Sequence, residues 1–222
     1  MNSFLEKLKN NKTLVSLPLP KKKFIWSIIQ FPLFNSALNE IGWFKSVWKE
    51  QGVDAKGNPI PWITYPTIEF LNERLDKKMK VFEYGSGNST MWWAERVKSV
   101  ISVEYDMKWY EKVKNTLPKN AELIYVPLGI EYAQAILNSK QKFDVVMVDG
   151  RMRIECAKNS VSKLSAGGVI VWDNTDRDKY KPGIMHLKKA GFKTIDFVGM
   201  VPSSNKISKT TIFYRANNCL NI

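Results

Sequence analysis

A short apolar run that ends in two glycines restricts the fold of this chain more than any other feature. Residues 81–84 lead into Gly85 and Gly87, and Asn88 or Ser89 follows as the predicted N-cap of a helix that reaches about residue 97. This order indicates a strand, a tight turn and a helix, in which glycines let the backbone turn sharply and approach a ligand closely. The pattern predicts a ligand site at this turn, and a structural turn without a ligand is the alternative.

Short apolar runs alternate with amphipathic stretches after residue 79, which is typical of a βαβ protein. The runs predict seven strands at residues 80–84, 100–104, 123–126, 143–149, 169–173, 192–198 and 210–214. Helical periodicity lies between them and also just before the first, where Pro66 opens a helix. We therefore expect an α/β, Rossmann-like seven-stranded sheet, mostly parallel, with helices on both faces and an antiparallel last strand.

The chain divides near residue 60 into two predicted units. Residues 1–60 are rich in lysine, proline and tryptophan and are interpreted as a basic N-terminal helical cap, and residues 61–222 form the ligand-binding domain. Within the first unit, residues 21–34 read KKKFIWSIIQFPLF, which is too short for a membrane-spanning helix. This segment is expected to pack over the second unit, and peripheral contact with a membrane surface is the alternative.

The formal net charge is +13, from 34 Lys and Arg against 21 Asp and Glu. The excess is spread along the chain, with +6 in residues 1–80 and +7 in residues 81–222. This charge is compatible with nucleic acid, anionic lipid or an acidic substrate, and it selects none of them. The two cysteines, Cys156 and Cys219, form no disulfide framework or zinc motif, which favours a reducing, cytoplasmic compartment.

Two acidic residues narrow the class of ligand. Glu83 precedes the first glycine and would repel a diphosphate but pair with an amine, and Thr90 replaces the third glycine of a nicotinamide fingerprint. Glu104 ends the next strand, where a carboxylate can accept hydrogen bonds from both ribose hydroxyls. Together these residues indicate a ligand that contains adenosine and an amino-acid end and carries no phosphate. S-adenosylmethionine is such a ligand.

The combination of motifs resembles the class I S-adenosylmethionine-dependent methyltransferases over roughly residues 64–215. The motifs are Glu83-x-Gly85-x-Gly87, Glu104, FDVVMVDG at 143–150, GGVIVWDN at 167–174 and a terminal strand pair. The resemblance implies cofactor contacts from Glu83, Tyr84, Gly85, Ser86, Gly87, Ser89, Glu104 and Asp149. In place of the polar residue that many of these enzymes carry near the adenine, this chain has Pro127, Leu128 and Gly129, so no adenine contact is assigned.

Polar side chains follow the fourth and fifth predicted strands. Asp149, Asp173 and Asn174 end strands on the same edge of a parallel sheet, where ligands bind. Asp149 and Asp173 are the candidate catalytic bases. The pattern is similar to the metal site of catechol-type O-methyltransferases, but we expect arginines rather than a divalent cation to compensate the charge.

Basic residues follow the same strands. Arg151, Arg153 and Arg177, together with Asn174, are the candidate substrate-binding residues, since guanidinium groups bind carboxylate, sulfate and phosphate. Local ion pairing is the alternative for these arginines. The aromatic segment 61–66, which contains Trp62, is expected to fold over the cofactor.

The predicted function is therefore methyl transfer to a hydroxyl group of a small molecule or sugar. An aminopropyl-type transferase on the same fold is one alternative. A protein that binds or methylates nucleic acid is another, although the chain has neither the Asn-Pro-Pro-Tyr-like tetrapeptide after the fourth strand nor the Pro-Cys pair of DNA methyltransferases.

Overall fold

The computed structural model describes residues 36–222, and the predicted cap or membrane segment at 21–34 lies outside them. The helices of this part are α1 (Ala37–Glu40), α2 (Trp43–Lys49), α3 (Tyr65–Asn72), α4 (Asn88–Ala94), α5 (Met107–Lys114), α6 (Ile130–Gln134), α7 (Arg153–Ser160) and α8 (Lys181–Lys189). The strands are β1 (Lys80–Tyr84), β2 (Ser99–Glu104), β3 (Ala121–Tyr125), β4 (Phe143–Val148), β5 (Leu164–Asp173), β6 (Lys193–Met200) and β7 (Ile207–Tyr214).

The seven strands form one sheet in the order β3-β2-β1-β4-β5-β7-β6. β1 to β5 are mutually parallel, whereas β7 lies antiparallel between β5 and β6. This confirms the predicted mostly parallel sheet with an antiparallel last strand. β1 and β4 are neighbours although their connections run in opposite directions across the sheet, so a crevice opens at their carboxyl ends.

Alternate residues of the central strands enter two hydrophobic cores, one on each face of the sheet. In β1, Phe82 and Tyr84 enter the first core, which helices α6, α7 and α8 cover, while Val81 enters the second. In the second core, Leu71 of α3 and Trp93 of α4 are fully buried. Both faces are therefore apolar, which explains why the strands appear in the sequence as continuous apolar runs.

Several predicted boundaries shift. The helix after the glycine turn starts at Asn88, so Gly87 occupies the N-cap position in place of Asn88 or Ser89. The hydroxyl of Thr90 accepts a hydrogen bond from the Gly87 backbone N–H at 3.1 Å, so a side chain inside the helix stabilises its first turn. β5 begins at residue 164 rather than 169, because Leu164 already pairs with Phe143, ahead of a register shift that leaves the extra residues on β5 before Val169 pairs with Val145.

The described part of the N-terminal unit packs on the sheet domain. The indole N–H of Trp43 in α2 donates to the carbonyl oxygen of Ser204 at 2.9 Å, and Asn88 donates its side-chain amide to Gly52 at 2.7 Å. Residues 36–60 thus border the carboxyl edge of the sheet. Between residues 36 and 222, no helix is both long enough and apolar enough to cross a bilayer.

Candidate active site

The turn between β1 and α4 is built on two glycines with positive φ angles. Gly85 has φ 103° and Gly87 has φ 139°, a region in which other residues are strained. A Cβ atom on Gly87 would lie 3.3 Å from the ring of Trp109, and one on Gly85 would lie 3.6 Å from the backbone nitrogen of Gly150. The turn is therefore closely packed by α5 on one side and by the end of β4 on the other.

Glu83 lies behind the turn and is 1% exposed. Its Oε2 accepts hydrogen bonds from the hydroxyls of Thr90 at 2.6 Å and Ser102 at 2.7 Å. Burial raises the pKa of this carboxyl above its usual value, although these hydroxyls act in the opposite direction. Glu83 thus stabilises the turn from inside while it also lines the cavity in front of it.

Glu104 ends β2 beside the turn, with 4% exposure. Its Oε1 accepts from the backbone N–H groups of Tyr105 at 2.9 Å and Asp106 at 3.0 Å, and its Oε2 accepts from the hydroxyl of Ser86 at 2.9 Å. The backbone donors hold the carboxylate in one orientation. The Ser86 hydroxyl occupies a position that a ligand hydroxyl can take over.

A cavity of about 570 Å³, called the cofactor cavity below, opens in front of the turn. Seven of the eight predicted cofactor residues line it, namely Glu83, Tyr84, Gly85, Ser86, Ser89, Glu104 and Asp149. Gly87, the eighth, lines the adjacent apolar cavity. Carboxylates and hydroxyls dominate the donor and acceptor set, which suits a ligand with an amine and a ribose and without phosphates.

Arg153 connects the carboxyl ends of β4 and β5 through hydrogen bonds. It is 9% exposed and donates all five of its N–H groups to protein oxygens. The acceptors are the carbonyl of Gly150 (2.9 Å), the carbonyl of Asp173 (2.6 Å), Oδ1 of Asn174 (3.1 Å), and the carbonyl (2.6 Å) and Oδ1 (2.8 Å) of Asp149. Sequence reasoning took Arg153 as a substrate-binding residue, but in this arrangement it has no donor left for a substrate.

Asp149 and Asp173 lie on either side of Arg153, with Nη1 of Arg153 3.9 Å from Oδ2 of Asp173. Burial raises the pKa of Asp149 to about 6, while the charges of Arg153 and Arg177 oppose this change. Burial and the negative charge of Asp149 raise the pKa of Asp173 to about 7. The two carboxyls thus titrate close to neutral pH, the range in which a carboxylate is useful as a general base.

A second cavity, of about 580 Å³ and called the acceptor cavity below, extends from Asp149 over the end of β5. Its other lining residues are Trp62, Asp173, Asn174, Asp176, Arg177, Val201, Ser204, Lys206, Ile207 and Ser208. Two of the four predicted substrate residues, Asn174 and Arg177, are among them. Arg151 instead lines the cofactor cavity, where its Nε donates to the hydroxyl of Tyr105 at 3.1 Å.

A third cavity, of about 400 Å³, lies between α4, α5 and residues 50–62. Ile60, Met91, Trp109 and Val113 give it an apolar wall. Trp62 and Asp149 also line it, so the three cavities meet at these two residues. Both residues of this junction lie in segments that the sequence singles out, Trp62 in the aromatic segment 61–66 and Asp149 at the end of the fourth predicted strand.

Several lining residues are not predicted from the sequence as site residues. Among them are Tyr105, between β2 and α5, Trp109 in α5, and Lys206 in the loop between β6 and β7. Nothing in their local sequence distinguishes them from ordinary surface residues, because the sheet topology alone brings them to the site. In residues 36–222 the structure contains no group of three or more His, Cys, Asp or Glu that is arranged to hold a metal ion.

Solved structures with the same fold include methyltransferases and a spermidine synthase. A precorrin-6y C5,15-methyltransferase from Geobacter metallireducens has a TM-score of 0.54 at 16% identity, over 76% of this chain and 95% of that one. An rRNA methylase from Streptococcus thermophilus has a TM-score of 0.52 at 16% identity, over 70% of this chain and 99% of that one. A spermidine synthase bound to the transition-state analogue AdoDATO has a TM-score of 0.51 at 19% identity, over 68% of this chain and 57% of that one.

No protein-family model and no curated protein sequence matches the chain. At such low identities the structural likeness establishes the fold. The chain has the fold of the class I S-adenosylmethionine-dependent methyltransferases.

Proposed function

We propose that this protein is an S-adenosylmethionine-dependent methyltransferase that methylates a hydroxyl group of a small molecule or sugar. The observation that carries the proposal is the position of Asp149, which lines both the cofactor cavity and the acceptor cavity. A donor bound in the first and an acceptor bound in the second therefore meet at a carboxyl group.

The residues of the cofactor cavity divide the binding of S-adenosylmethionine among them. Glu104 is proposed to accept hydrogen bonds from the ribose hydroxyls, because its carboxylate is already oriented by backbone donors. Gly85 and Gly87 allow the backbone to approach the methionine end, and Glu83 supplies negative charge for its amine. When bound, the cofactor supplies an electrophilic methyl group on a positively charged sulfur that is a good leaving group.

The protein's own contribution at the acceptor is alignment and a base. Asp149 and Asp173 are proposed to take the proton from the acceptor hydroxyl, since a raised pKa makes each carboxylate a stronger base that is still partly ionised near neutral pH. Arg153 holds both groups and is a positioning residue in this proposal. Trp62 borders both cavities and excludes water from the junction.

A second candidate is an aminopropyl-type transferase, which also uses an acid after the fourth strand. Asp149, Asp173 and Asp176 give the acceptor cavity three carboxyl groups, and such a set also suits a cationic amine. The two candidates differ in product, because only the first transfers a methyl group from unmodified S-adenosylmethionine.

The test begins with the cofactor. Calorimetric titration of the full-length protein with S-adenosylhomocysteine should give micromolar binding in wild type and weaker binding in Glu104→Ala. Glu122→Ala, which removes a carboxylate from the neighbouring strand β3, is the matched control and should bind normally. Transfer of a labelled methyl group from S-adenosylmethionine to a panel of sugars and phenols then identifies the acceptor. Transfer from decarboxylated S-adenosylmethionine alone would favour the aminopropyl alternative.

A further inference from the structure

The charged residues of the acceptor cavity differ in burial. Asp173, at the end of β5, is 3% exposed. Arg177 and Lys206 are exposed, and so is Asp176, which also lines the cavity. An acceptor that fits this cavity therefore meets the carboxyl groups of Asp149 and Asp173 together with two exposed cations.

The two cations are available for a ligand. Within residues 36–222, neither the guanidinium of Arg177 nor the ammonium of Lys206 forms a hydrogen bond or an ion pair with a protein group. Asp176 is adjacent to Arg177 in sequence, but its Oδ1 accepts from the backbone N–H of Lys209 at 3.3 Å. The cavity thus presents two cations that no group in residues 36–222 neutralises by direct contact.

The backbones that carry these cations are anchored. The Arg177 N–H donates to the carbonyl of Asn174 at 3.1 Å, which closes a turn directly after β5. The Lys206 N–H donates to the hydroxyl of Ser204 at 3.2 Å, and the carbonyl of Ser204 is held by Trp43 of α2 at 2.9 Å. The two loops, which α8 and β6 separate in the sequence, are therefore held so that both cations border one cavity.

We propose that the acceptor carries an anionic group, a phosphate or a carboxylate, which Arg177 and Lys206 bind while the hydroxyl to be modified lies at Asp149 and Asp173. This inference rests on the proposed function and specifies its substrate class. A guanidinium binds phosphate and carboxylate through two parallel N–H groups, and an ammonium adds a point charge. The same pair orients the acceptor, because an anionic group is attracted to Arg177 and Lys206 and repelled by the carboxylates of Asp149 and Asp173.

The experiment measures binding of matched sugars to the full-length protein saturated with S-adenosylhomocysteine, at low ionic strength. The probes are glucose 6-phosphate, glucuronate and neutral glucose. We expect the anionic sugars to bind more tightly than glucose, and Arg177→Gln and Lys206→Gln each to weaken that binding at least tenfold while S-adenosylhomocysteine binding stays unchanged. A preference for glucose 6-phosphate over glucuronate identifies phosphate as the group, and the reverse identifies carboxylate.

Lys193→Gln is the matched control, because Lys193 is exposed at the start of β6, on the opposite edge of the sheet, and its removal changes the net charge equally. Equal weakening by Lys193→Gln, or no weakening by either cavity variant, overturns the inference. Tight binding of a single-stranded RNA oligonucleotide that both cavity variants abolish, without binding of the sugars, also overturns it and favours nucleic acid.

Binding of inorganic pyrophosphate tests the anion site independently of the proposed methyltransferase function. Titrated into protein without S-adenosylhomocysteine, it tests Arg177 and Lys206 directly, and we expect the same loss in the two variants. Failure of S-adenosylhomocysteine to bind wild type would reject the proposed function, whereas normal cofactor binding with no variant-dependent anion binding rejects the substrate class.

Discussion

Trp62 and Asp149 both line the cofactor cavity, the acceptor cavity and the apolar cavity at the carboxyl edge of the sheet. Trp62 comes from the segment before α3, and Asp149 follows β4. An indole that is 49% exposed therefore borders the same space as a carboxyl group of raised pKa. A ligand that enters any of the three cavities meets this pair, which makes it the junction of the site.

Trp62→Ala should weaken binding of S-adenosylhomocysteine by about 1 kcal/mol or more, or at least fivefold, because the indole covers one side of the cavity. Trp48→Ala is the control, since Trp48 is 89% exposed and lines none of the three cavities. Calorimetry on both variants measures the difference. Equal affinities would show that residues 61–66 do not cover the cofactor.

Gly85→Ala should abolish detectable binding of S-adenosylhomocysteine, because a side chain at φ 103° strains the turn and its Cβ would lie against the backbone of Gly150, which also lines the cofactor cavity. Gly191→Ala is matched in backbone strain, with φ 84° and open space around its Cβ position. Both variants should lose a similar amount of stability in urea, and only the first should lose cofactor binding.

Glu104→Ala should weaken S-adenosylhomocysteine binding by about 1–3 kcal/mol through lost hydrogen bonds to a charged acceptor. Glu104→Gln should lose less affinity, because the amide oxygen of glutamine can still accept one hydrogen bond. Titration of both variants with S-adenosylhomocysteine measures this order. Normal binding by Glu104→Ala would reject the assignment of the ribose to β2.

Asp173→Asn should change how stability depends on pH. The pKa of Asp173 is raised to about 7 in the folded protein, above its value of about 4 in the unfolded chain. The folded state therefore holds this proton more tightly, and the free energy of unfolding falls as the pH rises from about 4 through 7. Asp173→Asn removes this titrating group. The free energy of unfolding of the variant, relative to that of wild type, should therefore increase by roughly 1–3 kcal/mol from pH 5 to pH 8.

Urea unfolding at the two pH values measures this gain. Asp178→Asn is the control, because Asp178 is exposed and its pKa is lowered by the hydrogen bond and charge of Lys181. A gain of the same size in Asp178→Asn, or none in Asp173→Asn, would contradict the raised pKa of Asp173.

Arg153→Met should destabilise the fold by about 3–5 kcal/mol, since it leaves buried carboxyl groups without their counter-charge. Combining it with Asp149→Asn should recover part of that loss, because one uncompensated charge is then removed. Lys114→Met, which breaks an exposed ion pair with Glu111, should change stability little. Additive losses in the double variant would show that Arg153 and Asp149 do not interact.

The amino-acid sequence by itself determined the approximate positions of strands β1 to β5 along the chain, the glycine turn and the carboxylate of Glu104. Each of these is a local pattern. The two φ angles of the turn require glycine, and strands buried on both faces require continuous apolar runs. The antiparallel last strand followed from the resemblance and from the hairpin-like spacing of β6 and β7.

The tertiary structure decided which polar residues meet and what remains free to bind. The sequence gives no reason to distinguish the three candidate arginines. In the structure, Arg153 donates every side-chain N–H to the protein, Arg151 contacts Tyr105, and Arg177 borders the acceptor cavity. The partner of a side chain depends on which elements pack beside it, and Lys206 reaches the site only because β6 and β7 lie next to β5. Arg153 contacts Asp149 four residues away, but its bonds to Asp173 and Asn174 and the position of Lys206 join residues far apart in the chain, which no local pattern encodes.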